Sequence, residues 1–295
     1  MRVFLTGSTG FIGSRLTREL LDAGHQVLGL TRSDAGEQAL LAMGAESHRG
    51  DLEDLLSLKR GAEACDAVIH TAFDHDFSRF VANCQKDSRA IAALGSALEG
   101  SPRPLIITSG TAMGSAAPGQ PADEDHFAPD HPHPRAASEL AGHALLQRGV
   151  NVVVVRLSQI HNPVKQGLVP EVIRMAREQG RSPYVDQGLN QWSAAHLTDT
   201  ARLYRLALEK HRPGARYHAT AESGITFRLI AETIADGLGV PAASVTAEQA
   251  AAHFGWMSGF VGQDMSSLSS KTQARLGWTP TGPGLIADLK SFFNR

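Results

Sequence analysis

A chain of 295 residues can hold one large α/β domain, or a nucleotide-type domain with a smaller cap, and is ample for a sizeable core. With 42% hydrophobic and 20% charged residues and a formal net charge of −2, the composition gives no sign of nucleic acid, a membrane surface or an acidic tail as partner. A small-molecule partner is expected. The two cysteines, Cys65 and Cys84, are too few and too oddly placed for a disulfide framework or a thiolate metal site, and both are expected to be buried in a reducing compartment. No charged-then-apolar leader precedes the first apolar run, and no stretch reaches the roughly 18 apolar residues of a membrane span, so a cytoplasmic location is expected.

Short β-type runs at 3–5, 26–30, 66–70, 105–108 and 151–157 alternate with helical patterns, which predicts a parallel sheet. Between the first two runs Phe11, Ile12, Leu16, Leu20 and Leu21 recur at helical spacing and stop at Ala23-Gly24. The runs at 105–107 and 152–155 are apolar at every residue, as suits strands covered by helices on both faces. Beyond Pro163 helices are predicted near 169–179, 197–210 and 227–237, with a strand at 216–219. The predicted architecture is an α/β Rossmann fold, a doubly wound parallel sheet, with a smaller, mostly helical C-terminal substrate lobe. Residues 1–162, with 190–220 returning to them, form the dinucleotide domain, and 163–189 and 221–295 form the lobe. The crevice between them is the expected ligand site.

The most specific motif is TGxxGxxG at 6–13, which follows the first strand and opens the first helix. Gly7 permits the tight turn, Gly10 lets a pyrophosphate approach the backbone, and Gly13 allows close helix packing; Thr9, Phe11 and Ile12 complete the cradle at the positive end of the helix. The second strand ends at Thr31-Arg32-Ser33, where NAD-binding proteins usually carry an acid. A guanidinium with flanking hydroxyls suits a 2′-phosphate instead, so NADP(H) is expected ahead of NAD(H), with Asp34 as an alternative ribose ligand. Asp51-Leu52, after the third strand, can accept from an adenine amino group and cover its ring, or Asp51 can cap the helix that follows.

Together TGxxGxxG, Asp51-Leu52, His70-Thr71-Ala72-Phe73, the segment 108–114 and Arg156-Leu157 resemble the extended short-chain dehydrogenase/reductases over nearly the whole chain. The resemblance implies that Thr71, Ala72 and Phe73 pass the cofactor ribose, that Ser109 orients a substrate carbonyl, and that the turn holding Ser158, Ile160 and His161 lies beside the nicotinamide. Phe73, Met113, Tyr184 and Trp192 are expected around the substrate. The departure is at the family's YxxxK, where this chain reads Arg135-Ala136-Ala137-Ser138-Glu139. No tyrosine is followed four residues later by lysine, so the sequence is similar to the family's atypical branch. Arg135 and Glu139, one helical turn apart, are expected to form a salt bridge worth a few tenths of a kcal/mol; alternatively Arg135 holds an anionic substrate group.

Candidate proton donors are Ser109, Thr111, His161 and His75. The last sits between Asp74 and Asp76, acids expected to raise its pKa, or else Asp76 caps a helix. The histidines at 126, 131 and 133 fall around a proline-broken stretch that reads as an exposed loop, and no metal is expected. No HExxH, GxSxG or Walker lysine is present. The reading favoured is an NADP(H)-dependent oxidoreductase reducing a small carbonyl or imine. A catalytically silent dinucleotide sensor or scaffold comes second, and a sugar-nucleotide epimerase or dehydratase third. A homodimer is compatible with all three.

Overall fold

The structure is a computed structural model that describes residues 1–295. Its first half alternates strand and helix: β1 (Arg2–Thr6), α1 (Phe11–Asp22), β2 (Gln26–Thr31), α2 (Asp34–Met43), β3 (Glu46–Arg49), α3 (Leu55–Glu63), β4 (Ala67–His70), α4 (Phe80–Ser96), β5 (Pro104–Gly110), α5 (Ala136–Gln147) and β6 (Asn151–Leu157). After β7 (Gln159–His161), α6 (Val169–Gln179), β8 (Ser182–Val185), β9 (Gln191–His196) and α7 (Leu197–Glu209), the chain adds β10 (Arg216–Ala219) to the main sheet. β11 (Glu222–Thr226), α8 (Phe227–Leu238), β12 (Ala242–Val245), α9 (Ala247–Phe254), α10 (Ser258–Val261), α11 (Ser270–Leu276) and α12 (Leu285–Phe293) complete it.

The main sheet is parallel, in the order β10-β6-β5-β4-β1-β2-β3. Its strands are apolar on consecutive residues because each face meets a different helical layer. Val3 and Leu5, with Val153 and Val155, pack with Leu16, Leu20 and Tyr204 of α1 and α7. Phe4, Val152 and Val154 point the other way, to Leu58, Leu94 and Leu145 of α3, α4 and α5. Strand order reverses between β1 and β4, and the crevice beyond their carboxyl ends is where a doubly wound sheet binds ligands. Both cysteines are buried and unpaired.

The lobe has a core of its own, in which Trp192, Ile225, Phe227, Ile230, Phe254 and Leu289 are buried. It is mostly helical, with α6 and α8 to α12, and carries the three-stranded sheet of β7, β9 and β11 and the pair of β8 with β12. The chain also crosses between the two units more often than a division at 163–189 and 221–295 provides. Leu276 and Trp278 are buried against the α1/α7 side of the main sheet, where the Trp278 indole donates to the Asp199 carbonyl at 2.9 Å.

Candidate active site

One cleft of about 970 Å³ runs along the carboxyl ends of the strands between the two units. At its phosphate end lie Gly7, Thr9, Gly10, Phe11, Ile12 and Gly13. Gly7 has φ +72, a conformation other residues adopt with strain. A Cβ on Gly13 would stand 1.9 Å from the Gly7 carbonyl oxygen, so only glycine lets α1 begin this close to the loop. No side chain caps α1, which leaves its first turn open to the cleft. These features fit a dinucleotide pyrophosphate, held by backbone donors and the helix dipole.

Thr31, Arg32, Asp51 and Leu52 line the end of the cleft expected to hold the adenosine. Ser33 does not line the cleft; its hydroxyl accepts from the Gly36 amide at 3.1 Å and caps α2. Asp34 pairs with Arg49 at 3.0 Å, while Arg32 has no carboxylate partner. Asp51 Oδ1 accepts from the Glu53 and Asp54 amides at 2.7 and 3.0 Å, a local turn, and Asp54 rather than Asp51 caps α3. Thr71, Ala72, Phe73, Ser158 and Ile160 continue the wall towards the substrate end.

The substrate end gathers Phe73, His75, Phe77, Phe80, Ser109, Thr111, Met113, His133, Arg135, Lys165, Phe260 and Met265. Four expectations change here. Arg135 and Glu139 do not pair with each other. The Arg135 guanidinium donates to Asp87 Oδ2 at 2.6 Å, to Ser138 Oγ at 2.5 Å and to the Thr108 carbonyl at 2.9 Å, and it lies 4.2 Å from the centre of the Phe73 ring. Asp87 also receives the His70 ring at 3.0 Å, and His70 in turn meets Thr6 Oγ1 at 2.7 Å. Burial works to raise the Asp87 pKa, but Arg135, His70 and Ser138 outweigh it and bring it down to about 2. Glu139 instead takes two bonds from the fully buried Arg156, at 2.7 and 2.8 Å, and one from Arg216 at 3.2 Å. Burial opposes its ionisation, and Arg156 overcomes that and holds the carboxyl below its ordinary range. Two consecutive buried ion pairs therefore replace the single surface pair expected from the spacing.

His161 does not reach the cleft. It is fully buried, with Nδ1 2.7 Å from Asp288 of α12, because β7 joins the lobe sheet and turns the side chain away from the nicotinamide side. His75 does line the cleft, but its pKa is lowered rather than raised, by desolvation and by Lys165 across the cleft. Its acidic neighbours are engaged elsewhere. Asp74 binds Lys86 at 3.0 Å, and Asp76 accepts from the Ser78 amide at 3.1 Å, the capping role. Tyr184 and Trp192 belong to the lobe interior, where Arg228 lies over the tyrosine ring and Phe227 packs 5.0 Å from the tryptophan. Ser109, Thr111, Met113 and Phe73 line the cleft. The Ser109 hydroxyl is buried without a hydrogen-bond partner, although it lies near enough to Glu139 to help hold that carboxylate ionised.

Sequence reasoning missed His133, Phe80, Lys165 and Phe260. His133 is a cleft wall rather than part of an exposed loop, its ring 5.6 Å from Phe80, and burial first and then His131 and Arg135 keep its pKa low. Lys165 is presented by a turn in which Asn162 Oδ1 accepts from the Val164 and Lys165 amides at 2.8 and 2.9 Å. The Asn162-Pro163 pair marked that turn, but nothing local showed which wall it faced.

The model of the NAD dependent epimerase/dehydratase family matches residues 3–220. Over 292 residues the chain is 44% identical to the uncharacterized protein C2A9.02 of Schizosaccharomyces pombe, covering 99% of each. It is 32% identical over 228 residues to the 2-alkyl-3-oxoalkanoate reductase of Stenotrophomonas maltophilia, covering 73% of this chain and 67% of that one. Among solved structures, the dTDP-glucose 4,6-dehydratase DesIV of Streptomyces venezuelae, with NAD and TYD bound, superposes with a TM-score of 0.77 at 21% identity, over 100% of this chain and 96% of that one. That likeness shows the shared fold.

Proposed function

This chain belongs to the NAD-dependent epimerase/dehydratase family and is an NAD(P)-dependent enzyme of the oxidoreductase or epimerase type; from that premise we propose that it is an NADP(H)-dependent reductase of a small, apolar carbonyl or imine compound. The observation that carries this reading is the chemistry of the substrate end. Phe73, Phe77, Phe80, Met113, Phe260 and Met265 line it, and the lobe contributes one cation, Lys165, with one anion, Glu171. A sugar nucleotide brings a second diphosphate, which calls for converging cations that the lobe does not supply. Epimerisation also needs a base to take a proton from a sugar hydroxyl, and Arg135 cannot act as one. The name of the Stenotrophomonas relative, a reductase of alkyl-bearing oxo acids, points the same way.

When bound, the dinucleotide supplies a hydride to the carbonyl or imine carbon. The protein then orients the substrate oxygen beyond the end of β5, where Thr111 offers a hydroxyl donor, and its aromatic wall keeps water from the reacting carbon. Desolvation holds the pKa of both His75 and His133 below the ordinary value, which favours the neutral imidazole. Preference for NADP(H) is supported by Arg32, a cleft residue without a carboxylate partner.

The test is titration with NADPH and NADH, followed by nicotinamide fluorescence, and then assays with apolar ketones, cyclic imines and UDP-glucose. Tighter NADPH binding with turnover of a ketone or imine is expected. Turnover of UDP-glucose alone makes the protein an epimerase, and binding without turnover of any compound makes it a dinucleotide sensor.

A further inference from the structure

We propose that Arg135 is the group that stabilises negative charge on the substrate oxygen, acting as a fixed hydrogen-bond donor rather than as an acid. The proposal rests on the reductase reading. A guanidinium has five N–H groups, and the protein uses three here: two on Nη1, for Asp87 and Ser138, and one on Nη2, for the Thr108 carbonyl. The Nε–H and the second Nη2–H have no protein acceptor, and the residue lines the cleft. The carbonyl it grips, that of Thr108, lies near the end of β5, so the guanidinium is tied to the carboxyl edge of the sheet along which the cleft runs. Two unused donors of one guanidinium, at the start of α5, therefore stand at the wall of the cleft. Donors of this kind are effective when they are fixed before reaction. Arg135 is fixed on three sides: by the Thr6–His70–Asp87 chain, by Ser138 and by the face of Phe73.

In the step this implies, the hydride and its electron pair form the new C–H bond, and the π pair of the C=O bond moves onto oxygen. Arg135 holds the alkoxide so formed. The alkoxide takes a proton from water, and the hydroxide left behind is neutralised by buffer. Arg135 keeps its protons throughout, so the rate of reduction should show no alkaline limb assignable to a phenolic acid.

The test uses benzoate as a stable oxyanion, titrated by calorimetry into the protein loaded with NADP⁺, alongside single-turnover reduction of a ketone. Wild-type protein is expected to bind benzoate. Arg135→Met should weaken that binding at least about 10-fold and slow reduction by about 10²–10³-fold, with NADP⁺ affinity within about twofold. Arg135→Lys, which keeps a cation for Asp87, should fall between the two and remain folded if the methionine variant does not. No benzoate binding by the wild type, or equal binding in all three proteins with only a lower melting temperature in the variants, overturns the proposal and leaves Arg135 a structural partner of Asp87. Benzoate binding does not need turnover. Arg135-dependent binding in a protein that reduces no ketone would therefore sink the reductase reading alone, and reduction unaffected by Arg135→Met would sink this one alone.

Discussion

The two ends of the cleft are built in opposite ways. At the phosphate end, eight consecutive residues supply the turn, the close helix approach and the anion-binding backbone, and Arg32, a cation further along the cleft, has no carboxylate partner. At the substrate end the charges come from α4, α5, β6 and β10, and nearly every one is neutralised by a buried partner: Arg135 by Asp87, and Arg156 and Arg216 by Glu139. A bare charge at a surface is available to a ligand and contributes little to folding. A buried pair is expensive to break, because the survivor is stranded away from water. Substitutions at the substrate end should therefore be felt first as stability, and those at the adenosine end as affinity.

The largest effect is expected at Glu139. Glu139→Gln leaves Arg156, fully buried, without a carboxylate and Arg216 with a neutral amide, and should lower unfolding stability in urea by about 3–5 kcal/mol. NADPH affinity of the folded fraction should stay within about twofold. A loss below about 1 kcal/mol would mean that the buried pairs are not what holds this end together.

A pH-dependent counterpart lies one residue further along the same network. His218 is buried, its Nε2 3.3 Å from Arg156 and its Nδ1 2.8 Å from the Leu268 carbonyl, and desolvation followed by Arg156 brings its pKa from 6.5 down to about 4. The unfolded chain takes up the proton more readily than the folded one, so this contribution is complete above about pH 6.5 and is lost as the pH falls towards 4. At about 1.4 kcal/mol per unit the loss is on the order of 3 kcal/mol. His218→Asn should flatten the fall in melting temperature between pH 6.5 and 4. Asp87, with a pKa of about 2, adds its own loss only below about pH 4, so the two windows separate.

The same contrast explains what could be read from the sequence. TGxxGxxG, Asp51-Leu52 and the apolar runs at 105–107 and 152–155 are local patterns, and the sheet, its helices and the cofactor wall follow from them. The pairing of Arg135 was not legible, because its spacing from Glu139 satisfied a helical rule while α4, some fifty residues earlier, carried the true partner Asp87. His161 was misplaced for a related reason. The short strand Gln159–His161 pairs with β9 of the lobe, a long-range choice that reverses which way the ring points. Ser33 and Asp76 show the converse case, in which local capping took up a polar side chain considered for a ligand or for tuning a neighbour.

The smallest effect expected, and the one confined to affinity, is at Arg32. It lines the adenosine end without an ion pair, while the acid that could have served a ribose, Asp34, is held by Arg49. A 2′-phosphate gains a charge-assisted contact from Arg32 that a 2′-hydroxyl cannot match, worth roughly 1.5–2 kcal/mol at an exposed site. Arg32→Ala should therefore weaken NADPH binding about 10- to 30-fold in fluorescence titrations, leave NADH binding within about twofold, and leave the melting temperature unchanged. Because charge carries the contact, the difference between wild type and variant should shrink as salt is raised. Equal loss for both cofactors would instead place Arg32 against a part they share, the adenine or the pyrophosphate. The preference for NADP(H) would then have no residue to rest on, even though the phosphate end remained correctly assigned.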